Sequence, residues 1–366
     1  MTDSKMRITF VLPGRGDTPA GGPKVVYEYA NHLSRKNHKV SIVHPSRSCH
    51  YGMGLIGSAM NWFRYFQIAL GKPFRPDHWF QVDPEVNLLC VPSLSERWIP
   101  KGDIVIATAW KTVEWVSRYS KSKGTGYYLI QHLETWDGPE EKVRDTWKAP
   151  LKKIVIAKWL QQIATSLGEE ASYIPNGLSM DEFQMDISPE NRDPKRIFML
   201  YHEADWKGSS DGIEALKRVR KEDNGVKATL FGVSPRPDSL PEWIEYFQRP
   251  QRKLLRHLYN QAAVFVSPSW TEGWGLPPSE AMMCGAALVA TDTGGHQEYA
   301  FHGETALLSP IKNPKKLAEN VLTLIRDINL RKRLALNGHK YITQFTWELA
   351  TRRLESQFRE GGTNYD

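Results

Sequence analysis

TEGWGLPPSEAMMCG, residues 271–285, sets two carboxylates, Glu272 and Glu280, on either side of a Gly-Trp-Gly turn and a double proline. The glycines and prolines mark the end of a loop and the start of a helix. Pro277 and Pro278 have no amide hydrogens, which a first helical turn leaves unpaired in any case, and their rings preset φ. Just upstream, FVSPS (265–269) reads as a buried strand, so the turn lies on the rim where open α/β sheets bind ligands. The amides of Trp274, Gly275 and Leu276 are then placed to point at an anion, assisted by the helix dipole. Phosphate repels carboxylates, so Glu272 and Glu280 read as hydroxyl binders at the two ends of a diphosphate. One would hold a sugar ring and the other a ribose, which points to a nucleotide sugar.

Strand and helix signals alternate outward from this stretch. In the first half ITFVLP (8–13), KVSIVHP (39–45), DIVIATA (103–109), TGYYLIQH (125–132) and KKIVIAK (152–158) are apolar runs. A glycine-rich loop after the first run leads into PKVVYEYANHLSRK (23–36), where Val26, Tyr29, Ala30 and Leu33 share a face and Pro23 suits the first helical position. The second half repeats the style with KRIFMLYH (195–202), KATLFGV (227–233), AAVFVSPS (262–269) and ALVATD (287–292), separated by helical stretches at 210–222, 252–261 and 278–284. Continuous apolar runs, rather than alternation, predict strands covered on both faces of a parallel sheet. Two such series predict two doubly wound α/β domains. The expected division is 1–172, 173–345 and a C-terminal helix, 346–366, packing back on the N-terminal domain. From residue 314 the chain reads as helical, with Leu317, Val321 and Leu324 on one stripe.

The chain has 366 residues, 40% hydrophobic and 24% charged, with a net charge of +7. That suits a soluble two-domain protein and an anionic ligand without requiring nucleic acid. The three cysteines, Cys49, Cys90 and Cys284, are scattered with no metal spacing, which fits reduced thiols in a cytoplasmic protein. No stretch approaches the roughly 20 apolar residues of a membrane span, and the first residues are too polar for a signal peptide. Residues 51–80 interrupt the alternation with an aromatic and basic insertion. The insertion reads either as a helix packed on its own domain or as an acceptor-site or membrane-surface element; in the latter case 55–80 is a peripheral membrane contact, with Arg64, Lys72 and Arg75 toward anionic headgroups at the inner face of the membrane.

EGWGLPPSE resembles the E-x7-E motif of the family 4 glycosyltransferases, the group 1 glycosyl transferases. SEAMMCGAALVATDTGG and GETALLSP continue that pattern. AGGPKVVYEYANHLSRKNHKV is similar to the family's N-terminal glycine loop and first helix, IPNGLSMDEF to its interdomain segment, and EADWKG to its phosphate-lysine region. The motifs stand in the family's order over most of the chain. The resemblance implies the GT-B fold: two facing Rossmann-like doubly wound domains with a C-terminal helical tail. It implies that Glu272 contacts the donor sugar's hydroxyls, that Glu280 contacts the ribose, and that the amides of Trp274, Gly275 and Leu276 hold sugar and diphosphate. Lys207 would bind the diphosphate. The family's arginine five residues before that lysine is here His202, whose charge depends on pH. Gly21 and Gly22 would bring amides to the phosphates from the N-terminal side, and His132 would touch the donor sugar near the reacting carbon. FQRP (247–250) falls at the base-binding loop, where backbone contacts are expected.

The activity so implied is retaining, metal-independent hexosyl transfer from a nucleoside-diphosphate sugar to a saccharide or glycolipid acceptor, in polysaccharide or glycoconjugate synthesis. It uses no cofactor. No Asp-x-Asp metal signature occurs in the chain. A nicotinamide dehydrogenase is disfavoured: Gly14 and Gly16 are followed by Pro19 rather than a third glycine, and the second strand ends in His44-Pro45 rather than an acid. An epimerase of the same fold and a noncatalytic sugar-nucleotide-binding protein are the remaining alternatives.

Overall fold

Apolar runs without alternation should bury both faces, and they do. The computed structural model describes residues 5–46 and 75–362. These form two compact units: one runs up to Asn176 and resumes at Trp347, and the other is Gly177–Thr346.

In the first unit β1 (Arg7–Val11), β2 (Lys39–Pro45), β3 (Asn87–Val91), β4 (Ile104–Ala107), β5 (Thr125–Ile130), β6 (Lys152–Val155) and β7 (Ala171–Tyr173) form one parallel sheet. Its order is β3-β2-β1-β4-β5-β6-β7. Helices α1 (Gly21–Arg35), α2 (Trp110–Val116), α3 (Glu140–Thr146) and α4 (Lys158–Ser166) follow β1, β4, β5 and β6. The second unit contains β8 (Arg196–Leu200), α5 (Ser209–Glu222), β9 (Lys227–Gly232), β10 (Ile244–Gln248), α6 (Arg252–Gln261), β11 (Val264–Ser267), α7 (Leu276–Met283), β12 (Ala287–Thr291) and β13 (Ala306–Ser309), then α8 (Pro314–Arg326) and α9 (Ile328–Ile342). Its strands are again parallel, in the order β10-β9-β8-β11-β12-β13. Each sheet grows outward in both directions from its first strand. The order therefore reverses between β1 and β4 and between β8 and β11, and such switch points open a crevice at the carboxyl edge.

The expected elements differ from the observed ones in definable ways. Helix α1 starts at Gly21, with the Lys24 amide closing on the Ala20 carbonyl at 3.1 Å. Gly21 and Gly22 are thus the helix's first two residues, and Pro23 is its third rather than its first. The division falls after Asn176 rather than after residue 172, because the Ile174 amide still bonds the Val155 carbonyl of the first sheet at 2.9 Å. Of the 55–80 stretch only its end lies within the described residues. There Trp79 donates its indole N–H to the Gly16 carbonyl at 3.1 Å and packs on Tyr27 beside Phe80. The Arg75 guanidinium is engaged by Asp77 and the Val82 carbonyl, while Arg64 and Lys72 lie outside the described residues. No helix among the described residues is long and apolar enough to cross a membrane.

The last helix, α10 (Trp347–Gly362), belongs to the first unit. Trp347 buries its ring edge-on to Tyr29, with centroids 5.2 Å apart. Further along, buried Glu355 accepts from His38 Nε2 at 2.8 Å and pairs with Lys36. His38 Nδ1 accepts the Met6 amide at 3.1 Å, so the ring proton sits on Nε2 and points at the carboxylate. Replacing Glu355 by Ala leaves both donors unpartnered. We expect a loss of about 1.5–3 kcal/mol, read by urea unfolding, with earlier proteolytic release of the C-terminal helix.

Candidate active site

His202, Lys207 and Glu272 lie on loops at the carboxyl edge of β8 or β11, the pair that flanks the switch point, and Glu280 lies on the helix that follows β11. Lys207 ends a short 3-10 turn after β8, and Glu272 lies five residues beyond β11. The two meet: Lys207 Nζ lies 2.8 Å from Glu272 Oε1. Ser269 donates its hydroxyl to the same oxygen at 2.8 Å. The Trp270 amide bonds the Trp206 carbonyl at 2.7 Å, tying the two loops together one residue before Lys207 and two before Glu272.

Glu272 is buried, 8% exposed. Burial works to raise its pKa, but the Lys207 ammonium and the hydrogen bonds from Lys207 and Ser269 outweigh it, and the net shift is downward. The carboxylate is thus held ionised in a desolvated place. Gly295 explains how closely it is backed. A Cβ there would stand 2.6 Å from the Glu272 carbonyl oxygen, so only glycine fits. Next to it His296 is fully buried: Nδ1 donates to the Thr291 carbonyl at 2.8 Å and Nε2 accepts from Ser267 at 3.0 Å. Burial lowers its pKa, which keeps the ring neutral.

His202, in the position of the family's arginine, is fixed by its backbone. Its amide donates to Ser209 Oγ at 2.9 Å, and the same hydroxyl donates to its carbonyl at 2.8 Å. Its Nδ1 accepts the Ala204 amide at 3.0 Å, so in the neutral ring Nε2 carries the proton. Desolvation first, and Lys207 second, push its pKa down. At neutral pH His202 therefore offers one N–H donor rather than a positive charge.

The Gly-Trp-Gly turn is locked from behind. Gly275 caps α7 at φ +91°, and a Cβ would lie 2.6 Å from the Tyr299 hydroxyl. That hydroxyl is 2.9 Å from the carbonyls of both Trp274 and Gly275. The Trp274 side chain is buried against Tyr299 and Phe345, so it packs while its backbone serves the turn. With the helix starting at Leu276, Glu280 is its fifth residue and stands in the second turn, not the first. It is buried and accepts from the Tyr259 hydroxyl at 3.1 Å. At FQRP, Arg249 adopts φ +49° and its amide is taken by the Gly232 carbonyl at 2.8 Å. Pro250 has no amide hydrogen. The backbone of these two residues therefore offers carbonyl acceptors rather than N–H donors.

Gly21, Gly22 and His132 lie in the first unit, also beyond strand ends. His132 is two residues past β5 rather than at its end. Its Nδ1 donates to the Leu133 carbonyl at 3.1 Å, and its ring meets Trp136 and Trp159 edge-on at 4.4 and 5.4 Å between centroids. Gln131 ties this loop to Gly22, whose carbonyl accepts its side-chain N–H at 3.3 Å. Sequence reasoning missed Ser269, His296, Tyr299 and Tyr259. Ser269 stands inside the quoted stretch FVSPS and His296 directly follows SEAMMCGAALVATDTGG, but only the fold brings them to the glutamates.

Comparison with known proteins follows this geometry. The family described as glycosyl transferases group 1 matches residues 180–341. An uncharacterized glycosyltransferase of Methanocaldococcus jannaschii is 32% identical over 117 residues, 32% of this chain and 33% of that protein. A capsular polysaccharide biosynthesis glycosyltransferase of Staphylococcus aureus is 25% identical over 202 residues, 50% and 52% of the two chains. This chain thus spans between a third and about half of the length of those relatives. Among solved structures, Anabaena HepE in complex with UDP-glucose superposes with a TM-score of 0.73 at 16% identity, covering 97% of this chain and 100% of that one. A sucrose-phosphate synthase from Thermosynechococcus elongatus gives 0.74 at 17%, covering 97% and 99%. The fold is theirs: two doubly wound α/β units and a C-terminal helix, the GT-B class.

The ion pair yields a test with a sign. A depressed carboxylate pKa contributes stability above the group's unfolded value that is lost as pH falls through the folded one. In Lys207→Met the counter-charge is gone and only the Ser269 hydrogen bond still opposes burial at Glu272, so its pKa rises. We expect this variant to lose about 1–3 kcal/mol at pH 7, with the deficit shrinking as pH is lowered toward 4. Urea titrations of both proteins across that range measure it; a deficit independent of pH would refute the coupling.

Proposed function

We propose, from the match of residues 180–341 to the family described as glycosyl transferases group 1, that the chain moves a sugar from a nucleoside-diphosphate sugar to an acceptor hydroxyl. The reading further takes the transfer to be retaining and metal-independent, with a saccharide or glycolipid acceptor in polysaccharide or glycoconjugate synthesis. The observation that carries it is the Lys207–Glu272 pair at the β8/β11 switch point, with Glu280 on the adjoining helix. The names of the relatives support the reading, since one acts in capsular polysaccharide biosynthesis.

In this mechanism the bond between the anomeric carbon and the leaving phosphate oxygen breaks. The electron pair goes to the diphosphate and positive character grows on the sugar. The acceptor oxygen forms its bond on the same face, and its proton passes to the departing phosphate oxygen. What the protein must supply is preorganised positive potential at the leaving group. Lys207 supplies the charge, the amides of Trp274, Gly275 and Leu276 supply aligned donors, and neutral His202 supplies an Nε2–H. A bound donor exchanges partners with the resting pair: the ammonium turns to the diphosphate and Glu272 takes the sugar hydroxyls. Neither group is then left buried and uncompensated. Glu280, already held by Tyr259, takes the ribose. Gly21 and Gly22 are assigned to the donor's phosphates and His132 to the donor sugar near the reacting carbon.

The first test is a thermal-shift screen with UDP, GDP, ADP and dTDP and their sugars. A ligand at 100 times its Kd stabilises the native state by about 2.7 kcal/mol, so one nucleotide series should raise the melting temperature clearly. With that donor, Lys207→Ala should weaken nucleotide binding roughly 10- to 150-fold by calorimetry. Glu272→Ala should abolish transfer while the circular dichroism spectrum is kept, and transfer should persist in EDTA. Undiminished turnover in the Glu272 variant, or loss in EDTA restored by a divalent ion, would overturn the assignment.

A further inference from the structure

The first unit contains a cross-braced loop of which the proposed donor chemistry uses only His132. It runs from residue 131 to 138, between β5 and α3, at the carboxyl edge of the sheet. At its start Gln131 is tied to Gly22. In its middle the Glu134 carboxylate accepts the Trp110 amide at 2.8 Å, at the start of the helix that follows the neighbouring strand β4. Near its end Asp137 pairs with Lys111 at 2.7 Å. At its last residue Gly138 admits the Trp110 indole so closely that a Cβ would stand 2.4 Å from the ring. Eight residues, with a single 3-10 turn at Thr135–Asp137, are thus fastened at four places to two neighbouring elements. A loop this constrained presents whatever it carries in one orientation, which lowers the entropy lost on binding.

What it carries at its tip is Trp136. The indole is 42% exposed although its edge-on contact with His132, at 4.4 Å, fixes its position. Trp115 is exposed to a similar extent, but it sits on the side of helix α2, away from the strand ends. Trp136 differs in standing beside His132 on the substrate rim. An exposed, immobilised indole has a large apolar face with negative π density. A pyranose ring offers the complement: a face of C–H bonds carrying slight positive charge, rimmed by hydroxyls that stay hydrated. A flat apolar protein surface would instead need a contiguous patch, and among the described residues Trp136 is flanked by Thr135 and Asp137 rather than by other exposed apolar groups.

We propose that Trp136 is a specificity-determining residue that stacks on a sugar ring of the acceptor, with loop 131–138 as its rigid mount. The proposal rests on the glycosyl-transfer reading, and it deepens it by assigning a carbohydrate acceptor to a named surface. Its test uses the whole chain and a probe panel of methyl and para-nitrophenyl hexosides, followed by saturation-transfer NMR for binding and by steady-state kinetics for transfer. The wild type should bind at least one glycoside. Trp136→Ala should raise its Kd, and the acceptor KM, tenfold or more, with kcat changed less than threefold. Trp136→Phe should recover most of the loss. The nucleotide-induced thermal shift should be the same in all three proteins, which separates acceptor stacking from a general structural defect. Absence of any glycoside signal in the wild type, or an acceptor Kd within twofold of wild type in Trp136→Ala, would overturn the proposal. Failure of every nucleotide to shift the wild type would instead remove the donor reading, while the glycoside measurement still decides the role of Trp136.

Discussion

One desolvated ion pair governs the second unit. An ionised glutamate taken out of water is costly, and Lys207 with Ser269 offsets that cost at Glu272. The rest of the rim is arranged to make the meeting possible. Lys207 comes from the loop after β8 and Glu272 from the loop after β11, and these strands are neighbours only because the sheet order reverses between them. The Trp270–Trp206 backbone bond holds the two loops in step. Gly295 lets the next loop approach the Glu272 backbone, and behind it neutral His296 fills the space without adding a competing charge.

The same pair has a consequence for binding. A lysine already neutralised by a carboxylate attracts a diphosphate less than a bare one, and a carboxylate beside an incoming phosphate repels it. Both objections fall away for a nucleotide sugar, because the sugar's hydroxyls give Glu272 new donors as the phosphates claim Lys207. A free nucleoside diphosphate satisfies only the lysine. On the proposed reading the resting pair favours a ligand with hydroxyls and phosphates at adjoining positions, and His202, whose pKa is pushed down, adds an N–H donor there rather than a second charge.

How much of this the sequence discloses follows from what local patterns encode. Strands buried on both faces, such as Val264–Ser267 and Ala287–Thr291, are unmistakable apolar runs. The strands missed lie at sheet edges: β3 and β10 are partly exposed, so IEYFQ and NLLCV look like neither a buried run nor a clean alternation, and β13 has only four residues. Helix α7 is buried almost all round and shows no amphipathic stripe, yet its double proline and capping glycine reveal it. Glu272, Glu280 and Lys207 are legible because turn chemistry surrounds them. That Lys207 and Glu272 touch is not, for 65 residues separate them and only strand order brings them together.

The two units solve opposite problems with related means. In the second, a buried carboxylate is kept ionised by a cation, and it stays exchangeable because both partners have alternative ligands in a nucleotide sugar. In the first, Glu134 lies in a similar desolvated place without a cation in hydrogen-bond contact. Burial, opposed by the Trp110 amide, pushes it up to about 7. Its ordinary value is 4.5, so the folded chain holds a proton there that the unfolded chain releases between those values. Stability from this group is therefore fully present below 4.5 and declines as pH rises toward 7. Glu134→Gln removes the titration while keeping an acceptor for the Trp110 amide, so the variant should gain on the wild type as pH rises from about 4.5 to about 7, and unfolding curves across that interval measure the difference. A brace of this kind favours a fixed loop, where the Lys207–Glu272 pair favours exchange. That contrast fits a rigid saccharide platform in one unit and a partner-swapping donor site in the other.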